Sequence, residues 1–502
     1  MVHTSRGALI GLDDGQIRTF LGVPYAEPPV GELRFAPPVP KHSWRWPRPA
    51  LLTSPACLQA QFLTASHVTS EDCLYLNVWA PSKPGPHPVM VWIHGGAYNA
   101  GGGGSPAYSG KRLAREHDVV VVTINYRLGF FGFLALPELN NESHHGSSGN
   151  QGLYDQVEAL RFVKREIGHF GGDPNNITVF GESAGSVSTC ILLSSPLTAG
   201  LINKAIMQSG GCGWRKAVSM AEAESAGRAF LEEVLSCDGP DPLACARAKS
   251  TFELRAKVAA NLAANLASGK SYQPAAVIDG HLLPDDPIAL LERGHNSHIP
   301  LLFGDNADEG SLFVLDRGHA ADEAGYRQDT ARWYPDKDTD QLLALYPLSR
   351  YDTAGSADAA MMGDKLFVCT GQQVADILSE AGSTVYRYRF SHAVSSPVAF
   401  SMRVFSLDRN PPTPGVIHSA EIPYVFGNQS LYGAFVTADQ KRLSRKVMRY
   451  WTNFARTGDP NDGMLPYWPR YQTGDRLFLR LDTPIATGSN LKKEECAFWL
   501  AP

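Results

Sequence analysis

Short apolar segments that alternate with helix-forming segments constrain the fold of this chain more than any other feature. The segments are rich in β-branched residues and show little period-two alternation, as in strands covered on both faces. They are Val89–Ile93, Val119–Asn125, Ile177–Phe180, Lys204–Gln208 and Leu301–Gly304. Between them, the stretch Tyr154–Phe170 places most of its apolar residues on one side of a helix. Such alternation predicts an α/β fold with a mostly parallel central sheet and helices on both faces.

Size and charge narrow the class of protein further. The chain has 502 residues, with 45 basic and 50 acidic residues spread along it and a net charge of −5. Without a block of basic residues, nucleic-acid binding has no electrostatic support. No apolar run approaches the roughly 18 residues that a membrane-spanning helix needs. Met1 to Gly7 are polar, which leaves either a cytosolic protein or one whose leader has been removed.

The organisation of the chain predicts one large domain. No internal repeat, low-complexity tract or long linker interrupts residues 1–502, and α/β enzymes often keep a single core of this size. An Ala-rich, mostly helical pattern runs from Ala217 to Pro284, so we expect a mainly helical insertion around residues 217–405. A late helix is predicted for Asp439–Arg456.

A G-x-S-x-G pattern directly follows one of the predicted strands. It covers Gly181 to Gly185, and a helix-compatible run, Ser186–Leu193, comes next. Strand, sharp turn and helix are the context of the nucleophile elbow in α/β-hydrolases, where glycines let the two elements approach closely. Ser183 is therefore the candidate nucleophile, at a helix N-terminus whose dipole favours developing negative charge. The alternative is a glycine-rich turn with an incidental serine.

An acyl-transfer enzyme also needs backbone N–H groups that stabilise the oxyanion. In this fold they come from the residue after the nucleophile, here Ala184, and from a loop after an earlier strand. We predict that loop at His94-Gly-Gly-Ala-Tyr98, which directly follows Val89–Ile93. Gly95 and Gly96 allow its backbone to turn N–H groups inward. We interpret His94 itself as structural.

The residues alone leave the acid and the histidine of a triad open. The order in this fold is serine, acid, histidine, and functional residues gather where the strands of such sheets end. The acid is therefore expected just after Leu301–Gly304, where the candidates are Asp305, Asp308 and Glu309. The histidines after Ser183 are His281, His295, His298, His319, His392 and His418.

Several segments together resemble the type B carboxylesterase/lipase family, which includes bacterial carboxylesterases, fungal lipases, mammalian liver esterases and cholinesterases. The strongest matches are Phe170 to Gly185, around Ser183, and Glu71-Asp-Cys-Leu-Tyr-Leu-Asn77. Phe20–Ala26 and Trp451–Asn461 are similar to the family's N-terminal pattern and its C-terminal helix and turn. The resemblance covers nearly the whole chain and implies the α/β-hydrolase fold with helical insertions.

The resemblance selects among the open candidates. Asp308-Glu-Gly310 resembles the family's acid segment, and the stretch Gly415 to Gly427 resembles its histidine segment. The implied triad is Ser183, Glu309 and His418. The implied oxyanion donors are Gly96, Ala97 and Ala184. Two positions depart from many relatives, which have glycine in place of Ala97 and of Ser419. The backbone N–H survives the change at Ala97, and we expect no effect of Ser419 on the mechanism.

Three further positions have structural roles implied by the resemblance. Arg34 and Glu71 match a salt bridge of the family, and Arg127 resembles another ion-pair residue. We assign none of them a catalytic role. Clusters of Cys and His with zinc spacing are absent from the sequence, so we expect neither a metal nor an organic cofactor.

The function implied by the resemblance is that of a serine carboxylesterase, which hydrolyses a small-molecule ester through an acyl-enzyme. A lipase, an amidase or a specialised detoxifying esterase of the same family are alternatives. A non-catalytic binding homologue is another, but such homologues typically lack a triad residue. Cholinesterases carry a choline-stacking tryptophan in a loop whose counterpart here, Cys57 to Cys73, has none, so a choline-ester specialist is not expected. The sequence does not indicate the natural ester or the oligomeric state.

The cysteines indicate the cellular compartment in which the protein acts. Of the eight cysteines, six occupy positions where extracellular members of the family have disulfides. The implied bonds are Cys57–Cys73, Cys237–Cys245 and Cys369–Cys496. Cys190 and Cys212 have no family partner, and we expect both to be free and buried. Three disulfides predict a secreted or periplasmic protein whose precursor carried a leader; a cytoplasmic protein with free thiols is the alternative.

Overall fold

The computed structural model describes most of the chain, namely residues 1–60, 68–214, 216–268, 272–315, 317–320, 322–393, 408, 410–413, 415–429 and 436–501, without the side chains of 262–268. The chain divides into two compact units. Unit 1 consists of Met1–Ile206, Arg215–Ile299 and Ala455–Gly458, and unit 2 of Met207–Trp214, Pro300–Phe454 and Asp459–Pro502. The single-domain arrangement expected from the sequence stays a prediction.

Unit 1 contains the strand that leads into the G-x-S-x-G pattern. Its larger sheet has the order Leu12–Asp13, Ile17–Pro24, Tyr75–Pro81, Val120–Ile124, His87–Ile93 and Gly172–Glu182. The last three strands are parallel and the others antiparallel. Short strands also form at Val2–Thr4, Gly7–Ile10, Arg48–Pro49, Ala56–Cys57, Thr69–Ser70, Val218–Ser219 and Val277–Ile278. The α-helices are Lys111–His117, Gly129–Phe133, Pro137–Glu142, Gln151–Glu166, Ala184–Ser194, Met220–Ala229, Pro242–Ala248, Thr251–Ser268 and Pro287–Glu292.

Unit 2 contains the segments in which the acid and the histidine are predicted. The parallel strands Leu301–Asn306, Val385–Phe390 and Phe478–Leu481 are followed by antiparallel Ala486–Gly488. Its α-helices are Glu323–Trp333, Thr339–Leu345, Ala354–Gly363, Cys369–Glu380, Ile422–Phe426 and Lys493–Trp499. Two elements have residues in both units, the strand Lys204–Gln208 and the helix Ala438–Thr457.

The predicted α/β class is confirmed, with a large, mostly parallel central sheet and helices. Each of the five predicted strands is present, and its residues are almost completely buried. Full burial explains why these strands are continuously apolar, since they have no solvent-facing side that would call for polar alternation. Among the helices of the described residues, none combines the length and the apolar character needed to cross a bilayer.

The region predicted as a mainly helical insertion, residues 217–405, has a mixed structure. Its described part contains several helices, but Leu301–Asn306 and Val385–Phe390 are strands of the sheet in unit 2. Residues 394–405 lie outside the described residues, as do residues 61–67 of the loop between Cys57 and Cys73.

Buried ion pairs connect distant parts of unit 1, as the sequence predicts. Arg34 Nε and Nη2 donate to the two carboxylate oxygens of Glu71 at 2.6 and 2.7 Å, and Arg127 forms a similar two-point contact with Asp155. Arg34 also donates to the backbone carbonyls of residues 246, 247 and 249. Each of the three guanidinium nitrogens finds an acceptor, and these contacts offset the desolvation cost of the buried cation and hold the end of the helix Pro242–Ala248.

The three predicted disulfides are present: Cys57–Cys73, Cys237–Cys245 and Cys369–Cys496. The prediction that Cys190 and Cys212 are free is wrong, because both are disulfide-bonded and the chain has no free cysteine. Both are buried, as expected. The family resemblance implies only the bonds that extracellular members share, and Cys190 and Cys212 are not among their positions. A bond outside those positions leaves no signal in local spacing.

Candidate active site

The G-x-S-x-G pattern of unit 1 forms a sharp turn between strand and helix. The strand Gly172–Glu182 ends immediately before Ser183, and the helix Ala184–Ser194 begins immediately after it. Ser183 has φ 56° and ψ −123°, a backbone conformation that non-glycine residues rarely adopt and that typically costs ~1–3 kcal/mol. The Ser183 carbonyl accepts the first helical hydrogen bond, from Val187 N at 2.9 Å. The strained residue is therefore fixed on both sides by regular structure.

The two glycines of the pattern stand where no side chain fits. A Cβ on Gly185 would lie 2.0 Å from the carbonyl oxygen of Ile93, and one on Gly181 would lie 2.4 Å from the carbonyl oxygen of Gly185. Both obstacles are backbone atoms, which cannot rotate away as a side chain could. The two glycines of the pattern therefore reflect a close approach of helix and strand, as the nucleophile elbow requires.

The predicted oxyanion loop, His94 to Tyr98, also has an unusual backbone. Gly96, Ala97 and Tyr98 have φ of 110°, 52° and 59°. A left-handed conformation typically costs a residue with a Cβ ~1–2 kcal/mol, which explains why relatives often have glycine in place of Ala97. Gly96 O accepts from the backbone N of Asn99 at 2.9 Å, so this carbonyl is held within the loop. Gly96 and Ala97 are exposed, whereas Ala184 is buried.

His94 supports this loop. It is almost completely buried, its Nδ1 lies 2.8 Å from Gly95 O, and its ring stacks on Tyr126 with 4.4 Å between centroids. The Tyr126 hydroxyl in turn donates to His94 O at 2.8 Å. These contacts agree with the structural interpretation of His94.

In unit 2, the structure brings Glu309 and His418 together. Glu309 begins the short turn Glu309–Phe313, shortly after the strand Leu301–Asn306. Its Oε2 lies 2.5 Å from His418 Nδ1, and its Oε1 accepts from Asn306 N at 2.6 Å. Both side chains are buried. Because a carboxylate only accepts, the proton lies on Nδ1 of the imidazole, and Nε2 becomes the basic nitrogen.

The other two acid candidates have different partners. Asp308 Oδ2 accepts from Val416 N at 2.6 Å, and Asp308 N donates to Val416 O at 2.9 Å. Asp308 thus holds the backbone just before His418. Asp305 pairs with Arg389 at 2.9 Å, and its burial raises the pKa of its carboxyl despite the nearby arginines. Of the adjacent pair, Glu309 contacts the imidazole and Asp308 contacts the chain that carries it.

The remaining histidine candidates lie in other surroundings. His319 is buried between Asp358 and Asp408, and His392 pairs with Asp482 at 3.0 Å. In unit 1, His281 stacks on His145, and His295 and His298 belong to the turn before Leu301.

Sequence reasoning missed several residues around His418. The ring of Phe367 lies 4.4 Å and that of Phe313 5.3 Å from the imidazole, centroid to centroid. Glu421 is completely buried and accepts from Asn306 Nδ2 at 2.6 Å and from Gln208 Nε2 at 2.8 Å. One signal for Glu421 was available, because an acid directly before the apolar run Ile422–Phe426 is rare unless it is paired.

The backbone explains one departure from the family pattern. Ser419, where many relatives have glycine, has φ 70°, in the left-handed region that glycine adopts without penalty. The serine tolerates this conformation at a modest cost.

A cavity of about 370 Å³ lies beside the acid segment in unit 2. Asp308 and Glu309 line it together with Arg350, Arg389 and Lys492, whereas His418 does not. Its charged side chains are of both signs and are largely engaged with one another, as in the contact of 2.8 Å between Lys492 Nζ and Asp364. We therefore do not assign the reacting ester to this cavity.

Known proteins resemble this chain along its whole length. The model of the carboxylesterase family matches residues 1–499. The chain is 35% identical to the para-nitrobenzyl esterase of Bacillus subtilis, covering 99% of this chain and 97% of that protein. It is also 35% identical to the acetylcholinesterase of Bungarus fasciatus, covering 99% of this chain and 85% of that one.

Solved structures extend this likeness to the fold. A PNB esterase structure aligns with a TM-score of 0.83 at 34% identity and covers 99% of both chains. A thermophilic PNB esterase aligns equally well, at 32% identity. The α/β-hydrolase fold expected from the G-x-S-x-G context is thereby confirmed. With a family match over nearly every residue, the chain belongs to the carboxylesterase family and is a carboxylic ester hydrolase.

Proposed function

We propose that this enzyme hydrolyses small-molecule carboxylic esters through a Ser183–His418–Glu309 triad and an acyl-enzyme. The observation that carries the proposal is the contact of 2.5 Å between Glu309 Oε2 and His418 Nδ1. It supports the orientation of the imidazole by the acid that a general base needs. The strained backbone of Ser183 at a helix N-terminus supports its role as the nucleophile.

In the first step, Ser183 Oγ attacks the ester carbonyl carbon while His418 Nε2 takes the serine proton. Glu309 keeps the proton on Nδ1 and stabilises the imidazolium that forms. The C–O bond to the alcohol then breaks, the alcohol leaves with the proton from His418, and the acyl group remains on Ser183. Water, activated by the same histidine, hydrolyses this ester and frees the serine.

The oxyanion that forms in both steps needs hydrogen-bond donors that are in place beforehand. We assign this role to the backbone N–H groups of Gly96, Ala97 and Ala184. The assignment is supported by the positive φ of Gly96 and Ala97, which turns the loop backbone away from an ordinary strand or helix path. Each donor of this kind is typically worth about 10²- to 10³-fold in kcat.

The nucleophile is tested by covalent labelling with an organophosphate, which forms a stable phosphoryl-enzyme in place of the acyl-enzyme. Diethyl p-nitrophenyl phosphate should release one equivalent of p-nitrophenol, abolish turnover of p-nitrophenyl butyrate, and leave a diethylphosphoryl group on Ser183 in peptide mapping. Ser183→Ala serves as the control and should release none. Labelling of a different residue, or full activity after stoichiometric labelling, would overturn the assignment of the nucleophile.

Substrate preference within esters is a separate question. The alternatives from the sequence, a lipase, an amidase or a specialised detoxifying esterase, differ in acyl and alcohol pockets rather than in the triad. A panel of short- and long-chain p-nitrophenyl esters, emulsified triglycerides and anilides distinguishes them. We expect the short-chain esters to be hydrolysed with the highest kcat/KM.

We propose that the protein acts outside the cytoplasm, in the periplasm or the extracellular space. Four disulfides are compatible with an oxidising compartment and rare in reducing ones. Alkylation of the denatured but unreduced protein, taken from fractionated producing cells, tests the proposal. Protein found in the cytoplasmic fraction with eight reactive thiols would contradict it.

A further inference from the structure

Apart from the candidate triad, unit 2 contains a second buried histidine in contact with carboxylates. The side chain of His319 has no solvent-accessible surface. Its Nε2 lies 3.1 Å from Asp358 Oδ2, and its Nδ1 hydrogen-bonds to Asp408. The backbone N of His319 also donates to Asp408, at 3.0 Å to Oδ1. We call the three side chains, Asp358, His319 and Asp408, the histidine clip.

The clip requires a charged imidazole. Each carboxylate only accepts hydrogen bonds, so both ring nitrogens must carry a proton. Burial acts to lower the pKa of His319, but the hydrogen bonds to Asp358 and Asp408 outweigh it and raise the pKa above its ordinary value. In the same way, burial of Asp408 is outweighed by its hydrogen bonds from Asn410 and His319, and its pKa is lowered. The two pKa shifts are opposite in direction, and both favour the charged forms of the pair.

Residues near His319 in the chain also contact Asp358 and the imidazole. Arg317 Nη1 lies 3.1 Å from Asp358 Oδ2, and the Tyr334 hydroxyl donates to Asp358 Oδ1 at 2.6 Å. The Trp333 ring packs edge-on against the imidazole at 4.9 Å between centroids. The His319 imidazolium thus contacts both carboxylates, and Arg317 contacts one of them. Removal of the proton from His319 would take a compensating positive charge away from two buried carboxylates.

The clip fastens one stretch of chain to one helix. Asp358 belongs to the helix Ala354–Gly363, and Asp408 begins the described stretch that leads to His418. Along this stretch, Asn410 Nδ2 donates to His319 O at 3.1 Å and Thr413 N donates to Ser356 Oγ at 3.0 Å. A Cβ on Gly355 would lie 2.4 Å from Asn410 O, so stretch and helix are in direct contact.

The same helix also contacts the acid. A Cβ on Gly310, the residue after Glu309, would lie 1.9 Å from the carbonyl oxygen of Ala359 on this helix. Further along the stretch, Val416 is held by Asp308 through two hydrogen bonds. The helix Ala354–Gly363 is therefore packed against the turn that carries Glu309 and against the stretch that leads to His418.

We propose that His319 is a positioning residue for ester hydrolysis, which in its charged form holds residues 408 and 410–413 on the helix Ala354–Gly363 and so aligns His418 with Glu309. The inference deepens the proposed function and rests on it. His319 touches neither the substrate nor the reacting atoms. It acts through the backbone that carries the general base, where a displacement of about 1 Å is enough to cost 10²-fold in rate.

The test is the pH profile of His319→Gln with p-nitrophenyl butyrate, corrected for spontaneous hydrolysis. A glutamine donates to one carboxylate but presents an oxygen to the other, and it cannot carry charge. We expect kcat to fall roughly 10- to 100-fold with little change in KM. The wild-type rate should decline at alkaline pH, where His319 loses its proton, and that decline should be absent from the variant.

His392→Gln is the matched control, because it removes a histidine of the same unit that pairs with a single, partly exposed carboxylate. We expect its kcat to stay within about twofold of wild type, with the alkaline decline intact.

A second variant, Ser356→Ala, removes the hydrogen-bond acceptor of Thr413 N and leaves the charged side chains of the clip unchanged. It should lower kcat severalfold and keep the alkaline decline. If His319→Gln fails to fold, Asp408→Asn, which removes one charge and keeps an acceptor, takes its place.

Two results would overturn the inference: wild-type kcat in the folded His319→Gln variant, or an alkaline decline that the substitution leaves unchanged. Ser183→Ala, assayed in parallel, separates this failure from that of the proposed function. If Ser183→Ala is inactive while His319→Gln behaves as wild type, the triad stands and the positioning role is wrong. If Ser183→Ala remains active, the triad itself is wrong.

Discussion

The elbow and oxyanion loop of unit 1 and the acid–histidine pair of unit 2 are built in different ways. In unit 1, the special geometry lies in the backbone. Ser183, Gly96 and Ala97 all have positive φ, and Gly185 approaches the Ile93 carbonyl too closely for any side chain. In unit 2, the special geometry lies in side chains. Glu309 and His418 meet although 109 positions separate them in the chain.

The difference shows which kinds of site can be recognised from a sequence. A tight turn needs residues that tolerate its backbone conformation. It therefore leaves a recognisable local pattern in the sequence, with glycines at fixed spacing. A side-chain pair needs only two suitable residues brought together by the fold, and many acids and histidines satisfy that requirement. Substitutions in the two regions should therefore fail in different ways, and the following predictions use this contrast.

The largest effect is expected from Ser183→Ala, which removes the candidate nucleophile of unit 1. We expect kcat for p-nitrophenyl butyrate to fall roughly 10⁴- to 10⁶-fold, because the triad acts as a unit. The free energy of unfolding should fall little, since a hydroxyl is lost and the backbone stays. Rapid kinetics and urea denaturation check both parts. Substantial remaining turnover would mean that another nucleophile operates.

The second prediction separates the two adjacent acids of unit 2. Glu309→Gln should lower kcat by about 10³- to 10⁴-fold, because an amide cannot stabilise the imidazolium. Asp308→Asn keeps an oxygen that can accept from Val416 N, so it should cost less than about 1.5 kcal/mol of stability and little activity. Steady-state kinetics on both variants provide the comparison. The reverse ranking would make Asp308 the acid.

The third prediction tests the backbone character of the elbow. Gly185→Ala would force a Cβ to 2.0 Å from the Ile93 carbonyl oxygen, so helix and strand must separate, at a cost of roughly 1–3 kcal/mol or more. The control is Gly168→Ala, where a Cβ meets nothing within 4 Å. Thermal denaturation should show a lower Tm for the first variant alone. Equal Tm values would show that the elbow has room to relax.

The fourth prediction concerns pH. His418 acts as a base only when neutral, and the ordinary pKa of histidine is about 6.5. We therefore expect kcat/KM to fall about tenfold for each pH unit below that region. Product should be followed at the isosbestic wavelength of p-nitrophenol, with circular dichroism to establish that the protein remains folded. A flat profile in a folded protein would argue against a histidine base.

The smallest effect is expected from Ala97→Gly. Glycine keeps the backbone N–H and relieves the left-handed strain, at φ 52°, but adds freedom to the unfolded chain. We expect kcat to be nearly unchanged and stability to shift by less than about 1 kcal/mol. A large loss of kcat would show that the methyl group of Ala97, and not only its N–H, contributes to the reaction.

Much of the fold could be predicted from the sequence, for a physical reason. Strands such as Val120–Ile124 are buried on both faces, so their sequences are continuously apolar and easily distinguished from the helices between them. The elbow could equally be predicted from the sequence, because the turn itself requires Gly181 and Gly185. The prediction of strand ends was less accurate, and Gly172–Glu182 begins five residues before the predicted Ile177.

The side-chain pairs could not be predicted from residues alone. Nothing local distinguishes Glu309 from Asp308, and only the family resemblance selected it. The partners of Cys190 and Cys212, the buried Glu421 and the doubly paired His319 were all missed or misjudged. Each depends on contacts between segments far apart in the chain, which periodicity and spacing do not report.

The disulfide Cys369–Cys496 closes a loop with a sequence separation of 127, and His418 lies inside that loop. During synthesis the bond cannot form until residue 496 has left the ribosome. Cys57–Cys73 and Cys237–Cys245, with separations of 16 and 8, can close hundreds of residues earlier. In the order in which the chain is made, Cys369–Cys496 is therefore the last of these three bonds that can form. The two bonds that can close early lie in the unit of the candidate nucleophile, Ser183, whereas the bond that can close only late encloses the candidate base, His418.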